Sequence, residues 1–235
     1  MAGLVQSAVR NRLLQKMTAV DFALLAPNLE PIELGLKRIL VEANAPIDYV
    51  WFVESGLGSI VAVGPDDEQV EVAHVGFDGM VGKSLILGVD QSTNRTFMQV
   101  AGNGFRLPAQ SFRYALDESA TLRALLMKYI HVSMTQLSQT ALANGRYNLQ
   151  ERLARWLLMC HDRLGGTEMA LTHEFLAIML GVRRSGVTEA IHLLEGMQVI
   201  KATRGQVRII SRDRLLEIAG GSYGVPELEY ARLIG

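Results

Sequence analysis

Leu171-Thr-His-Glu-Phe-Leu-Ala-Ile-Met-Leu-Gly-Val-Arg-Arg-Ser-Gly-Val-Thr-Glu-Ala-Ile-His-Leu-Leu-Glu195 is the stretch whose reading decides the fold. Thr172 is placed to cap a first helix, Ala177 is small enough for a close crossing, and Gly181 can take the positive φ that a tight turn demands. Beyond the turn, Val187, Ala190, Ile191 and Leu194 recur at helical spacing and are expected to face inward. Arg183, Arg184, Ser185, Thr188, Glu189 and His192 are left on the outer face and the first turn. Two helices crossing at a short turn, the second with a polar outer face, predict a helix-turn-helix.

The residues that follow extend the motif. Val199-Ile-Lys-Ala-Thr203, then Arg204-Gly205, then Gln206-Val-Arg-Ile-Ile210 reads as two short strands around a two-residue turn. A hairpin directly after the second helix makes a winged helix. Lys201, Arg204 and Arg208 set basic groups beside the reading helix, where they can meet phosphates.

Charge distribution supports that placement better than net charge does. The chain of 235 residues carries a formal charge of −1. Residues 1–144 hold 11 Lys+Arg against 14 Asp+Glu, residues 145–219 hold 11 against 8, and residues 220–235 hold 1 against 2. The basic surplus therefore sits with the helix-turn-helix, and it is small, so one copy is expected to bind DNA weakly without sequence-specific contacts. No apolar run approaches the roughly 20 residues of a membrane span, and no signal-peptide order of charge, apolar block and small residues is present. Residues 1–17 read as an amphipathic helix, and a cytoplasmic location is expected. The lone Cys160 excludes an intramolecular disulfide and a four-cysteine metal or iron–sulfur site from one chain.

From Leu34 to Pro108 the chain is rich in short β-type runs: Lys37–Glu42, Tyr49–Val53, Gly58–Val63, Gln69–Val75, Thr96–Ala101 and Gly104–Leu107. Turn clusters at Glu54-Ser-Gly56, Gly64-Pro-Asp-Asp67, Gly76-Phe-Asp-Gly79 and Ala101-Gly-Asn-Gly104 separate them at the spacing of a small sandwich, barrel or β-roll. A long helix is expected next, over about 117–144. Met127, Ile130, Met134, Leu137 and Ala141 alternate spacings of three and four along it, which is a coiled-coil seam, while Leu122, Leu126 and Tyr129 are free to pack on the roll. The seam has no partner within the chain, so it is expected to form a homodimer interface. Asn144-Gly145 is expected to break this helix, and Leu149–Leu164 to open the second domain. The expected class is α+β: a sensory part over 1–144, a winged helix-turn-helix over 145–219 and a tail over 220–235.

This order of elements resembles the Crp/Fnr transcription regulators, the bacterial family of the cyclic-AMP receptor protein. The resemblance covers about residues 20–219. It is carried most specifically by Leu149-Gln-Glu-Arg-Leu-Ala-Arg-Trp-Leu-Leu158 and by Gly181-Val-Arg-Arg-Ser-Gly-Val187. It implies a cyclic-nucleotide-binding-like roll and a base contact from Arg184, whose guanidinium can bridge guanine O6 and N7. The family often has glutamate one residue after that arginine, where this chain has Ser185, and Glu189 stands where the cyclic-AMP receptor protein has another arginine. The operator is therefore not expected to copy that of the best-known members.

The sensory site departs further. Cyclic-nucleotide-binding members carry Gly-Glu and then Arg-Ser, whereas Gly79-Met-Val-Gly-Lys-Ser-Leu-Ile-Leu-Gly-Val-Asp-Gln-Ser-Thr-Asn-Arg-Thr96 offers Gly82-Lys83 and, at a longer spacing, Arg95-Thr96. Lysine cannot accept from a ribose hydroxyl. The family's adenine-facing threonine corresponds to Leu137, followed by Ser138. The resemblance thus implies a small anionic or nucleotide effector held near Gly82, Lys83, Arg95, Thr96 and Ser138, with a cyclic-AMP-responsive regulator of the same fold as the alternative.

The residues also admit a different class. His74, Glu71 and Asp78 within one part of the roll are ligand types of a cupin-like metal enzyme, but His74 is the only histidine in the roll, and no His-x-His pair occurs. The reading is a regulator and not an enzyme, with no metal. Its expected partners are double-stranded DNA at a two-fold-related operator, a second copy of the chain and RNA polymerase.

Overall fold

The computed structural model describes residues 4–66 and 68–235. Residues 1–3 of the expected amino-terminal helix, and Asp67 of one turn cluster, lie outside the described residues. The rest of that expected helix is instead a 3-10 turn over Gln6–Ala8 and then α1, Arg12–Lys16; α2, Ala19–Leu25, follows it. Asn11 starts α1: its Oδ1 accepts from the N–H groups of Leu13 and Leu14, while its amide donates to the carbonyls of Val53 and Gly79. Leu13 and Leu14 are thereby fixed in the core.

The strands follow as β1 (Glu30–Leu34), β2 (Ile39–Val41), β3 (Tyr49–Val53), β4 (Leu57–Val63), β5 (Gln69–Val75), β6 (Met80–Val81), β7 (Asn94–Val100) and β8 (Gly102–Pro108). Among the described residues they form two antiparallel four-stranded sheets, ordered β1-β8-β3-β6 and β2-β7-β4-β5. Consecutive strands β3 and β4, and again β7 and β8, lie in different sheets, which makes the roll. Opposite β7, Ile60 faces Thr96 and Val61 faces Arg95, so alternation sends Thr96 inward and Arg95 outward.

Helices α3 (Ala109–Glu118) and α4 (Ala120–Arg146) come next. Ser119 separates them: its backbone is extended and its hydroxyl accepts from the Leu122 N–H at 3.0 Å. The break expected at Asn144-Gly145 does not occur, because α4 runs through both residues to Arg146. Both are exposed, where an intrahelical ladder tolerates them. The chain leaves the helix at Tyr147, and Asn148 with Glu151 forms a capping box that starts α5, Leu149–Leu164.

The remaining elements are β9 (Glu168–Ala170), α6 (His173–Leu180), α7 (Arg184–Gly196), β10 (Ile200–Thr203), β11 (Gln206–Ile209), α8 (Arg212–Ala219) and α9 (Val225–Leu233). The expected hairpin of β10 and β11 gains β9 as a third strand along β11. Residues 220–235, expected as a tail, instead form a 3-10 turn and α9, which packs along α4. Pro226, at the start of α9, lies where its missing N–H leaves no bond unmade.

Two apolar cores result. One joins the roll to α1–α4 and takes in Tyr230 and Ile234 from the chain's last elements. The other lies under α5, α6 and α7 and includes Leu57 and Val61 from β4. One outer surface of the roll is therefore part of the second core.

Candidate nucleic-acid interface and effector cavity

The reading face is built by a helix pair whose turn has the expected chemistry. Thr172 accepts from the Phe175 N–H at 3.1 Å and starts α6. Gly181 ends it with φ 62°, a conformation costly for any residue with a Cβ. Val187, Ala190, Ile191 and Leu194 are buried, as their spacing predicted. Gly186 lets α7 approach α5 closely, since a Cβ there would lie 3.1 Å from Leu149 Cδ2.

Arg183, Arg184, Ser185, Glu189 and His192 are exposed on one side of α7 and its first turn. Thr188 is half-buried: its hydroxyl lies 2.9 Å from His173 Nδ1 and donates to the Arg184 carbonyl. Glu189 has no ion pair with Arg183 or Arg184, which leaves both guanidiniums available. Glu195 ties α7 to the wing by accepting from the Ala202 N–H at 2.8 Å. On the wing, Lys201 stands opposite Arg208, and Arg204 occupies the hairpin turn; all three are exposed. Cations thus flank the reading helix, with Glu168 next in line beyond Arg208.

The roll holds a cavity of about 280 Å³ lined by Gly82, Lys83, Thr96, Asn94, Ile60 and Met80 among others. Lys83 is half-buried there, and burial pulls its pKa down to about 8. Arg95 lies on the other side of β7, held by Glu42 with Nε 2.6 Å from Oε1; the pair lowers the Glu42 pKa through that hydrogen bond. Ser138 is exposed on α4, where its hydroxyl donates to the Met134 carbonyl. Of the expected effector residues, the structure brings Gly82, Lys83 and Thr96 together, and within one chain it sets Arg95 and Ser138 apart from them.

Glu71 and His74 are also together, but between the roll and the winged domain. The Glu71 carboxylate accepts from the Ser59 hydroxyl, from His74 Nε2–H at 2.5 Å and from the Trp156 indole N–H at 2.6 Å. Asp78, the third ligand type noted in the sequence, pairs with Arg163 at 2.9 Å. Among the described residues no group of three or more His, Cys, Asp or Glu side chains is arranged to hold a metal ion. No local signal marks the Trp156–Glu71 bond, since its partners are 85 residues apart. Cys160 is fully buried, which pushes its thiol pKa well up.

Helix α4 presents three faces. Leu122, Leu126 and Tyr129 pack on the roll, where the Tyr129 hydroxyl accepts from the Met80 N–H at 3.1 Å. Val132 lies in the core shared with Tyr230 of α9. Met127 and Met134, 49% and 60% exposed, and Ala141, also exposed, line a third face with half-buried Leu137. Ile130, expected on that free seam, is only 7% exposed within one chain.

Residues 151–218 match the family of Crp-like helix-turn-helix domains. The chain carries a Crp-like helix-turn-helix in a Crp/Fnr fold. FixK2 from Bradyrhizobium japonicum is similar at a TM-score of 0.71 and 17% identity, over 82% of this chain and 98% of its own. CLP from Xanthomonas campestris, a c-di-GMP-responsive global regulator, gives 0.63 and 15%, with coverage of 83% and 100%. A transcriptional regulator of the Crp/Fnr family from Thermus thermophilus gives 0.62 and 17%, with coverage of 81% and 98%. No curated protein matches the sequence significantly. The family matched over residues 151–218 is one of helix-turn-helix domains, and among the described residues no helix is long and apolar enough to cross a membrane.

Proposed function

We propose that the protein is a cytoplasmic homodimer that regulates transcription by binding a two-fold-related DNA site, under control of a small effector. The observation that carries this reading is the exposed row Arg183, Arg184, Ser185, Glu189 and His192 beside the basic wing. In a helix-turn-helix, the start of the second helix enters the major groove and meets base edges. Arg184 is assigned the guanine contact, with Ser185, Thr188, Glu189 and His192 along the same groove. Thr172, Lys201 and Arg204 are assigned to phosphates, and RNA polymerase is the further partner that a regulator requires.

The third face of α4 supports a homodimer, because Met127 and Met134 are large apolar side chains left open to solvent by a single chain. The sensory part ends with α4, and the DNA-binding part begins with α5. The roll cavity around Gly82, Lys83 and Thr96 is assigned to a small anionic or nucleotide effector. Lysine in place of a ribose-binding carboxylate disfavours cyclic AMP. CLP, of the same fold, is c-di-GMP-responsive. Selection of random double-stranded DNA by the purified protein tests the reading. Enriched sequences with two inverted half-sites about one helical turn apart are expected; enrichment without shared sequence would overturn it.

A further inference from the structure

Apart from the roll cavity, a second cavity of about 350 Å³ opens between the roll, α4, α5 and α9. Its size is near the lower end of small-molecule sites, about 300–1,000 Å³. Phe77, Tyr129, Tyr223 and Tyr230 bring four aromatic rings to its wall from different parts of the chain. The wall's carboxylates are already engaged. Asp78 pairs with Arg163, Asp162 meets Arg212 and the Tyr223 hydroxyl, and Glu227 accepts from the Gly224 N–H at 3.1 Å. Arg12 lies over the Phe77 ring, 4.9 Å from its centre.

Gln136 is the exception. It is 5% exposed and lines the cavity, yet its side-chain amide makes no hydrogen bond to any described residue. The same wall is short of partners elsewhere, at His74 Nδ1, Arg163 Nε and the Tyr230 hydroxyl. Those three atoms are enclosed and do not open on the cavity, whereas the Gln136 amide is not among the enclosed unpartnered atoms, so it is the group a polar guest would meet. A primary amide offers one donor edge and one acceptor edge side by side. Its complement is a ring carrying an adjacent acceptor and donor, and the aromatic wall suits a flat ring.

The geometry points to a second ligand site, for an uncharged nucleobase or nucleoside, with Gln136 pairing to the base edge. The wall carries three carboxylates, Asp78, Asp162 and Glu227, against two guanidiniums, Arg12 and Arg163, so a phosphate is disfavoured and the nucleoside is favoured over its nucleotide. Because the cavity touches the roll, α4, α5 and α9 together, a bound base would brace the sensory half against the winged domain.

Calorimetry on the full chain without DNA tests this, with adenosine, guanosine, cytidine and uridine as probes and the matching 5′-monophosphates as the charged arm. At least one nucleoside is expected to bind with a Kd of about 100 µM or tighter, and more tightly than its monophosphate. Gln136→Leu should weaken that binding about ten-fold or more by removing both edges of the amide. Gln136→Glu, which keeps the side chain's length and replaces the donor edge with a second acceptor, gives a second variant should Gln136→Leu fold poorly, and is expected to weaken binding several-fold. No nucleoside binding up to about 1 mM, tighter binding of the monophosphate, or binding indifferent to both substitutions would each overturn the assignment. The readout involves no DNA, so its failure leaves the regulator reading intact.

Discussion

The indole N–H of Trp156, on α5, donates to Oε1 of Glu71, on β5, across 2.6 Å at the junction of roll and winged domain. Both side chains are buried, and Glu71 already accepts from Ser59 and His74. A carboxylate taken from water needs such donors, and each one lost exposes part of its desolvation cost. Trp156→Phe keeps an aromatic ring and removes the donor. It should destabilise the protein by about 1–3 kcal/mol, read by urea unfolding, and should loosen the junction, read as faster amide exchange in β5 and α5. Unchanged stability and exchange would show that the bond contributes nothing to docking.

On DNA, Arg184→Ala should cost about 1–3 kcal/mol at the selected operator and relax preference at one base position in each half-site. Arg204→Ala should weaken all sequences by similar factors and lower the salt slope by about one unit per wing, as for a phosphate contact. Fluorescence anisotropy across a salt series separates the two. Equal behaviour of the two variants would remove Arg184 from base recognition.

Assembly is best tested at Met134. Ile130 is covered within one chain, so a charge there would disturb folding as well as association. Met134 is 60% exposed in the single chain, and Met134→Glu should leave the fold intact. In a paired seam the same charge is desolvated without a partner, at about 3–5 kcal/mol. Sedimentation should then show monomers at micromolar concentration where the unaltered protein is dimeric, and operator affinity should fall sharply. A dimer that survives the substitution would place the interface elsewhere.

Lys83 should show itself in the pH dependence of stability. Burial holds its folded-state pKa at about 8, below the ordinary 10.5. Between those values the unfolded chain binds more protons, so stability rises with pH across that window, and below about 8 the full cost of the buried cation is felt. Lys83→Met should therefore stabilise the protein at pH 7, on the order of 2 kcal/mol, with the difference shrinking as pH approaches 10.5. Thermal melts of both proteins from pH 7 upward check the sign; a gap that widens with pH would contradict it.

The parts legible in the sequence were those written in local chemistry. Thr172, Gly181 and the spacing Val187, Ala190, Ile191, Leu194 state a capped, sharply turned helix pair without help from elsewhere. Tyr49–Val53 and Gln69–Val75 state their strands to the residue. What escaped was set by distant partners. Glu168–Ala170 becomes a strand only because β11 lies beside it, and Glu30–Leu34, with Pro31 and two carboxylates, only because β8 does. Glu71 and His74 offered only metal-ligand types, because Trp156 and Ser59, which engage Glu71, are remote in sequence. Asn144-Gly145 read as a stop, although the decisive signal was the capping box of Asn148 and Glu151 just beyond it.

Helix α9 changes the mechanics of the winged domain. A module joined to its neighbour by one connection can swivel and tilt about that point in every direction. This one is joined twice, through Tyr147 between α4 and α5 and through residues 220–224 between α8 and α9, and α9 is itself docked on α4. Two fixed attachment points define a line, and rotation about that line is the one rigid-body motion that stretches neither. That rotation is the motion the two covalent links leave free, and the contact of Leu57 and Val61 with the second core holds the winged domain at one angle.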